Sequence, residues 1–318
     1  MANPSPYTKI RTMVHNFKVF TLIWAAALLN VSSVAQAASP GHAVHLRYEA
    51  MWGGIHIADF TLSLLNGADT FENRFHLETR GLTRYFTNMG VKANSKGHII
   101  RPPALTPTNA PANALAGGTP EAPQTEVYLA DHYRTEYTNA KHFRWVDITF
   151  NTPPEPAEAV TGTSPVLGRE DKWNPKDKGP EILDRVEAQY RIGVNDPITL
   201  VPQIMAVVRT HMEGGPKTGV VRGFDGRRRF DMHITYLGPA TRTVSGTRFE
   251  TYRVRIDPKP VAGFKKRHKV LWNGAAYDFY LSRDGKFLPL QIVPVKHGPV
   301  LTLVAECPSE CELKAEEN

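Results

Sequence analysis

Cysteine is almost absent from this 318-residue chain: there are two, Cys307 and Cys311, in the run Cys-Pro-Ser-Glu-Cys near the C-terminus. Two thiols without a nearby histidine do not make a zinc site. Three residues separate them, where thioredoxin-like redox pairs have two, and no βαβ pattern surrounds them. In an oxidising compartment such a close pair forms a small disulfide ring that ties off the last strand. Its short loop adds only about 1 to 2 kcal/mol. The common catalytic signatures are missing as well: there is no Gly-x-Ser-x-Gly elbow, no His-Glu-x-x-His, no Walker loop and no dinucleotide fingerprint. No cofactor and no metal are therefore expected. The twelve histidines are scattered, and His42 and His45, three apart on a strand, point to opposite faces.

Acidic residues are absent from the first 37 positions, where Lys9, Arg11 and Lys18 precede an apolar run from Phe20 to Leu29. Asn30, Ser32 and Ser33 end that run well short of the roughly 20 apolar residues that span a bilayer. Ala35, Gln36 and Ala37 then supply small residues where a signal peptidase cuts. The segment is expected to be a cleaved export signal, with an uncleaved anchor as the alternative. The mature chain, residues 38–318, then lies in the periplasm with no transmembrane segment. The formal charge of +7 falls to +4 once the three cations of the signal are set aside. Arg227, Arg228, Arg229 and the basic run from Lys265 to Lys269 would suggest nucleic acid in a cytosolic protein, but export removes that partner.

Period-two alternation runs through the mature chain. Val44, Leu46, Tyr48 and Ala50 share one face; Phe71, Phe75 and Leu77 another; Phe230, Met232, Ile234 and Tyr236 a third. Further strands are predicted at 54–65, 91–100, 127–137, 143–150, 248–257, 268–273, 276–283, 287–296 and 299–306, with turns at Asn66-Gly67, Asp225-Gly226, Asn273-Gly274 and Asp284-Gly285. The expected fold is mainly β: a single large antiparallel sheet curled into a barrel or incomplete barrel. One buried helix is predicted at about 196–212, with Asp196 as its cap and Pro197 opening it. Residues 101–126 and 152–180 hold six prolines each and are predicted to be loops.

Four residues stand out as candidate ligand contacts: Arg228, His56, Tyr85 and Trp173. Arg228 shares parity with Phe230 and Met232 and points inward, whereas Arg227 and Arg229 point to solvent. An inward arginine either pairs with a buried acid such as Asp59 or meets an anionic ligand. His56 shares the apolar parity of Ala58, Phe60, Leu62 and Leu64. Trp173 is the one aromatic residue of the second loop. No residue emerges as catalytic.

The order of Glu78-Thr79-Arg80-Gly81-Leu82, Asn195-Asp196-Pro197 before an apolar helix, Asp225-Gly226-Arg227-Arg228-Arg229-Phe230, and Ser282-Arg283-Asp284-Gly285 with Leu288-Pro289-Leu290 resembles the bacterial exported family known as domain of unknown function 3108. The likeness spans roughly 44 to 305 and departs mainly in the two proline-rich loops. It implies a periplasmic, barrel-like β protein and carries no catalytic residues across. The expected role is non-enzymatic: binding an apolar or amphiphilic lipid-like ligand, or a partner protein, in support of envelope integrity. The alternatives are a structural module that binds cell-wall polymer or an envelope protein through its outer surface, and, last, an envelope glycan or lipid hydrolase.

Overall fold

The computed structural model describes residues 42–101, 126–140, 142–165, 181–182, 186–265, 272, 274–296 and 298–307. The alternating stretches become strands β1 (His42–Trp52), β2 (Ile55–Asn66), β3 (Thr70–Thr79), β4 (Gly90–Ile100), β5 (Val127–Thr138), β6 (His142–Thr149), β7 (Glu158–Pro165) and β8 (Glu181–Ile182). After a helical segment come β9 (Thr218–Phe224), β10 (Arg229–Val244), β11 (Thr247–Ala262), β12 (Tyr277–Ser282), β13 (Pro289–Pro294) and β14 (Val300–Cys307). A short helix α1 (Gly81–Thr87) joins β3 to β4, and α2 (Leu200–Met212) precedes β9.

All fourteen strands form one antiparallel sheet in the order β8 to β1, then β14 to β9. Each strand lies beside its neighbour in sequence except at β8 and β9, and the first strand also pairs with the last. The two edges, β8 and β9, are therefore consecutive in the chain, and the ladder does not close between them. The connector spans that gap. Arg191 O accepts from Ala157 N–H at 3.0 Å on one side, while Asn195 exchanges backbone bonds of 2.9 and 2.8 Å with Arg222 and Phe224 of β9 on the other. Main-chain groups that a closed barrel would pair are thus satisfied by an irregular segment.

The inward face makes one large core, in which Tyr48, Leu46, Ile148, Phe224, Phe230, Ile234, Leu281 and Trp272 are almost completely buried. Leu200, Val201, Ile204, Met205 and Val208 of α2 are part of that core. The helix thus sits where its all-round apolar sequence requires.

Two predictions about segments need correction. The stretch 152–180 is not a loop throughout, because β7 occupies Glu158–Pro165; its inward residues are the small Ala159 and Thr161, too small to give a hydrophobic period. Strand β9 was also not foreseen. Most of the expected strand at 268–273 lies outside the described residues, as do 102–125 and 166–180 of the two proline-rich segments.

Candidate functional site

Asn195 and Asp196 hold α2, which plugs the interior of the sheet, in place. Strand β6 ends opposite His132, so the backbone of β5 at 128–130 has no strand on that side. The Asn195 amide supplies two of the three missing partners: Nδ2 donates to Tyr128 O at 2.8 Å, and Oδ1 accepts from Ala130 N–H at 2.9 Å. Gln203 Oε1 accepts from Tyr128 N–H at 2.8 Å. Asp196 caps the turn that leads into α2, which begins at Leu200 and not at the predicted Pro197, with Oδ1 accepting from the N–H groups of Ile198 and Thr199. Its other oxygen, Oδ2, accepts from the hydroxyls of Ser95 and Thr199 at 2.6 Å each. Burial pushes this carboxyl up, against the four hydrogen bonds that pull it down. Nearby on the inward face, Asn73 is wholly buried between Phe71 and Phe75, and neither end of its amide has a protein partner among the described residues.

Arg228 is buried, in the turn just before β10 where strand parity no longer applies. Its partner is Asp225, not Asp59. Nε and Nη2 approach Asp225 Oδ2 at 2.8 and 2.5 Å, while Asp225 Oδ1 accepts from the backbone of Arg227 and Arg228. The guanidinium also lies 5.8 Å from the rings of Phe264 and Trp272. Asp225 therefore closes the turn and neutralises the arginine at once, which leaves structural pairing as the favoured reading of Arg228 over an anion site. Gly226, at φ +82°, packs its turn directly on Val146, Ile148 and Ala159 across the gap in the ladder. Arg229 corrects its expectation: it is buried, pairing with Asp231 at 2.7 Å and donating to Phe230 O.

His56 is also displaced from its predicted face. Ala50 pairs with Ala58 but Met51 pairs with His56, so Ile57 is an extra residue in β2. This bulge turns His56 onto the outer face, where Nε2 lies 2.6 Å from Asp59 Oδ1. Asp59 is buried and takes its second partner from the buried Arg80, whose Nε donates to Oδ2 at 2.9 Å. Arg80 also reaches Glu78 at 3.5 Å. Sequence reasoning missed the pair because Arg80 lies beyond the end of β3.

The predicted contacts do not converge. Arg228 is interior, His56 lies on the outer wall, and Trp173 is outside the described residues. Cys307 is disulfide-bonded at the end of β14, and Cys311, the chain's other cysteine, lies outside the described residues. Tyr85 is the candidate that presents a surface. It is 86% exposed on α1, beside Leu82 at 68% and Phe86 at 64%. The two rings meet edge to face with centroids 5.5 Å apart. Ile55, the first residue of β2, and Val295, on the β13–β14 connection at the same end of the barrel, are exposed too. A cluster of this kind on a protein surface marks a contact surface more often than a scattered apolar residue does.

The buried acids are committed to partners except at Glu136, where Oε1 pairs with Arg134 and Oε2 has no hydrogen-bond partner among the described residues. Asp59, Asp196, Asp225 and Asp278 are each engaged by hydrogen bonds or arginines, Asp278 by both Arg253 and Arg255. Among the described residues no group of three or more His, Cys, Asp or Glu is placed to hold a metal ion. No helix among them is long and apolar enough to cross a membrane.

No family model matches the chain, and no curated protein matches it. Among solved structures it is similar to a β-barrel-like protein of domain of unknown function DUF1849 from Brucella abortus, with 10% identity over 85% of this chain and 98% of that one, and a TM-score of 0.40.

Proposed function

We propose that this chain is an exported protein of the bacterial envelope, of the family its motif order resembles, and that it works without chemistry of its own by binding an amphiphilic envelope component. The binding surface is the barrel rim at α1, and the interior serves as scaffold. One observation carries the reading: Leu82, Tyr85 and Phe86 project from a helix that buries none of its residues. Support also comes from the interior, where α2 and the β9–β10 turn take the space a carrier would leave to its ligand. The outer-surface alternative, which relied on Arg227, Arg229 and Lys265–Lys269, is weakened by the burial of Arg229.

The test is hydrogen exchange of protein recovered from the periplasm of an expression host, with and without zwitterionic detergent micelles. Slowed exchange over residues 81–87 is expected. Unchanged exchange there, with protection appearing at interior strands instead, would return the ligand to the barrel and sink the rim reading. N-terminal sequencing of the same protein should begin at Ala38.

A further inference from the structure

The loops around the exposed helix share a charge pattern that the strand alternation does not require. Four connections follow one another around this end of the sheet: β3–β4 with α1, β1–β2, β13–β14 and β11–β12. Their described residues include Arg80, Arg84, Lys265 and Lys296 and no acid at all. Arg80 is committed to Asp59. Lys265 and Lys296 are exposed, and Arg84 is half-buried beside the aromatic pair. The opposite end is mixed: Asp69, Glu155 and Asp284 lie in its β2–β3, β6–β7 and β12–β13 connections, with Arg283 and Lys286 on either side of Asp284. The apolar and basic features therefore fall on the same end, where the one acid of the next turn, Asp225, is bound to Arg228, and the other end carries charge of both signs.

Resting on the rim reading above, we infer that the amphiphile is a lipid surface carrying anionic headgroups, met end-on by the α1 rim. Leu82, Tyr85 and Phe86 enter the headgroup region, while Arg84, Lys265 and Lys296 face the phosphates. Aromatic side chains with one polar edge suit that boundary. Neither contribution anchors a protein firmly alone; an apolar insertion and a basic patch together do. Each cation close to an anionic membrane strengthens partition by about fivefold, and salt reduces the gain. A protein partner would not need acids excluded from four successive loops.

The experiment is co-sedimentation of the periplasm-purified protein with vesicles of phosphatidylcholine alone and of phosphatidylcholine mixed with phosphatidylglycerol. Partition is expected to be at least about tenfold stronger into the anionic vesicles and to fall with added salt. The triple variant Arg84→Glu, Lys265→Glu, Lys296→Glu should lose that preference but keep the micelle-induced protection over residues 81–87. Leu82→Ser, Tyr85→Ser, Phe86→Ser should lose both. Thermal midpoints and circular dichroism serve as folding controls, and all six positions lie outside the core. Equal partition of the wild type into both vesicles, or none into either, overturns the anionic surface while micelle protection keeps the rim reading alive. Anionic binding that survives both triple variants overturns inference and rim reading together.

Discussion

Ser95 Oγ lies 2.6 Å from Asp196 Oδ2, tying the middle of β4 to the start of α2 across 101 residues of chain. The bond is buried, and the same carboxylate accepts the Thr199 hydroxyl and two helix N–H groups. The helix is thus held by its capping residue as well as by its apolar side chains.

Replacing Asp196 with Ala removes the acceptor for all four donors and leaves them buried. A lost cap and unsatisfied polar groups together predict a loss of about 3 kcal/mol or more. Ser95→Ala, which removes one donor, should cost about 1 to 2 kcal/mol. Urea unfolding of both variants checks this, read as midpoint shifts at constant slope. Equal losses for the two would show that the cap contributes nothing beyond the Ser95 bond.

The Asp225–Arg228 pair makes a different prediction. Arg228→Ala strands a buried carboxylate and should cost about 3 to 5 kcal/mol. The double variant Asp225→Asn, Arg228→Met removes the charges together and should lose less than the sum of its single changes. Arg228→Lys should not rescue fully, since an ammonium cannot make the forked contact with Asp225 while lying against Phe264 and Trp272. Strict additivity in a double-mutant cycle would show the pair to be uncoupled.

Much of this fold was legible because alternation and turn residues are local. The strands from β1 to β6 and from β10 to β14, the α2 plug and the Asp196 cap follow from periodicity and capping chemistry. What escaped depends on events a residue cannot announce. The extra Ile57 reverses the parity that placed His56 inside, and Asp225 lies too close in sequence to Arg228 to be weighed against distant acids such as Asp59. Asn195 looked like a neighbour of the cap, although its amide stands in for a missing strand beside β5. Of the three candidate contacts among the described residues, Tyr85 alone acquired an apolar surface, and its partners Leu82 and Phe86 carry no periodic signal on so short a helix.

Strand β7 rests on smallness. A Cβ at Gly162 would stand 2.5 Å from the Trp145 ring, which lies across the strand pair and under the Arg134 guanidinium at 5.4 Å. Gly162→Ala should therefore force the indole off its strand and cost about 1 to 3 kcal/mol, despite alanine's better fit to a strand. Tryptophan fluorescence should shift to longer wavelength as Trp145 gains water. A stabilised variant with unchanged emission would mean that the ring moves aside freely.

Two outer-face groups give stability opposite dependences on pH. Burial raises the Glu136 carboxyl to about 7, only partly offset by Arg134 and Lys92. Relative to an unfolded value near ~4.3, the folded state holds this proton more tightly. Its contribution is complete below the unfolded pKa and is lost as pH rises through 7. His76 runs the other way. Burial, then Lys92 and Arg80, lower it to about 4, although Glu78 lies 3.4 Å away and pulls upward. Its contribution is present above the unfolded value near ~6.5 and declines as pH falls toward 4. Relative to wild type, Glu136→Gln should gain thermal midpoint as pH rises from 5 to 8, and His76→Gln should gain it as pH falls from 7 to 4. Midpoints measured across that range separate the two, because a variant that runs parallel to wild type leaves its group with no part in the pH dependence.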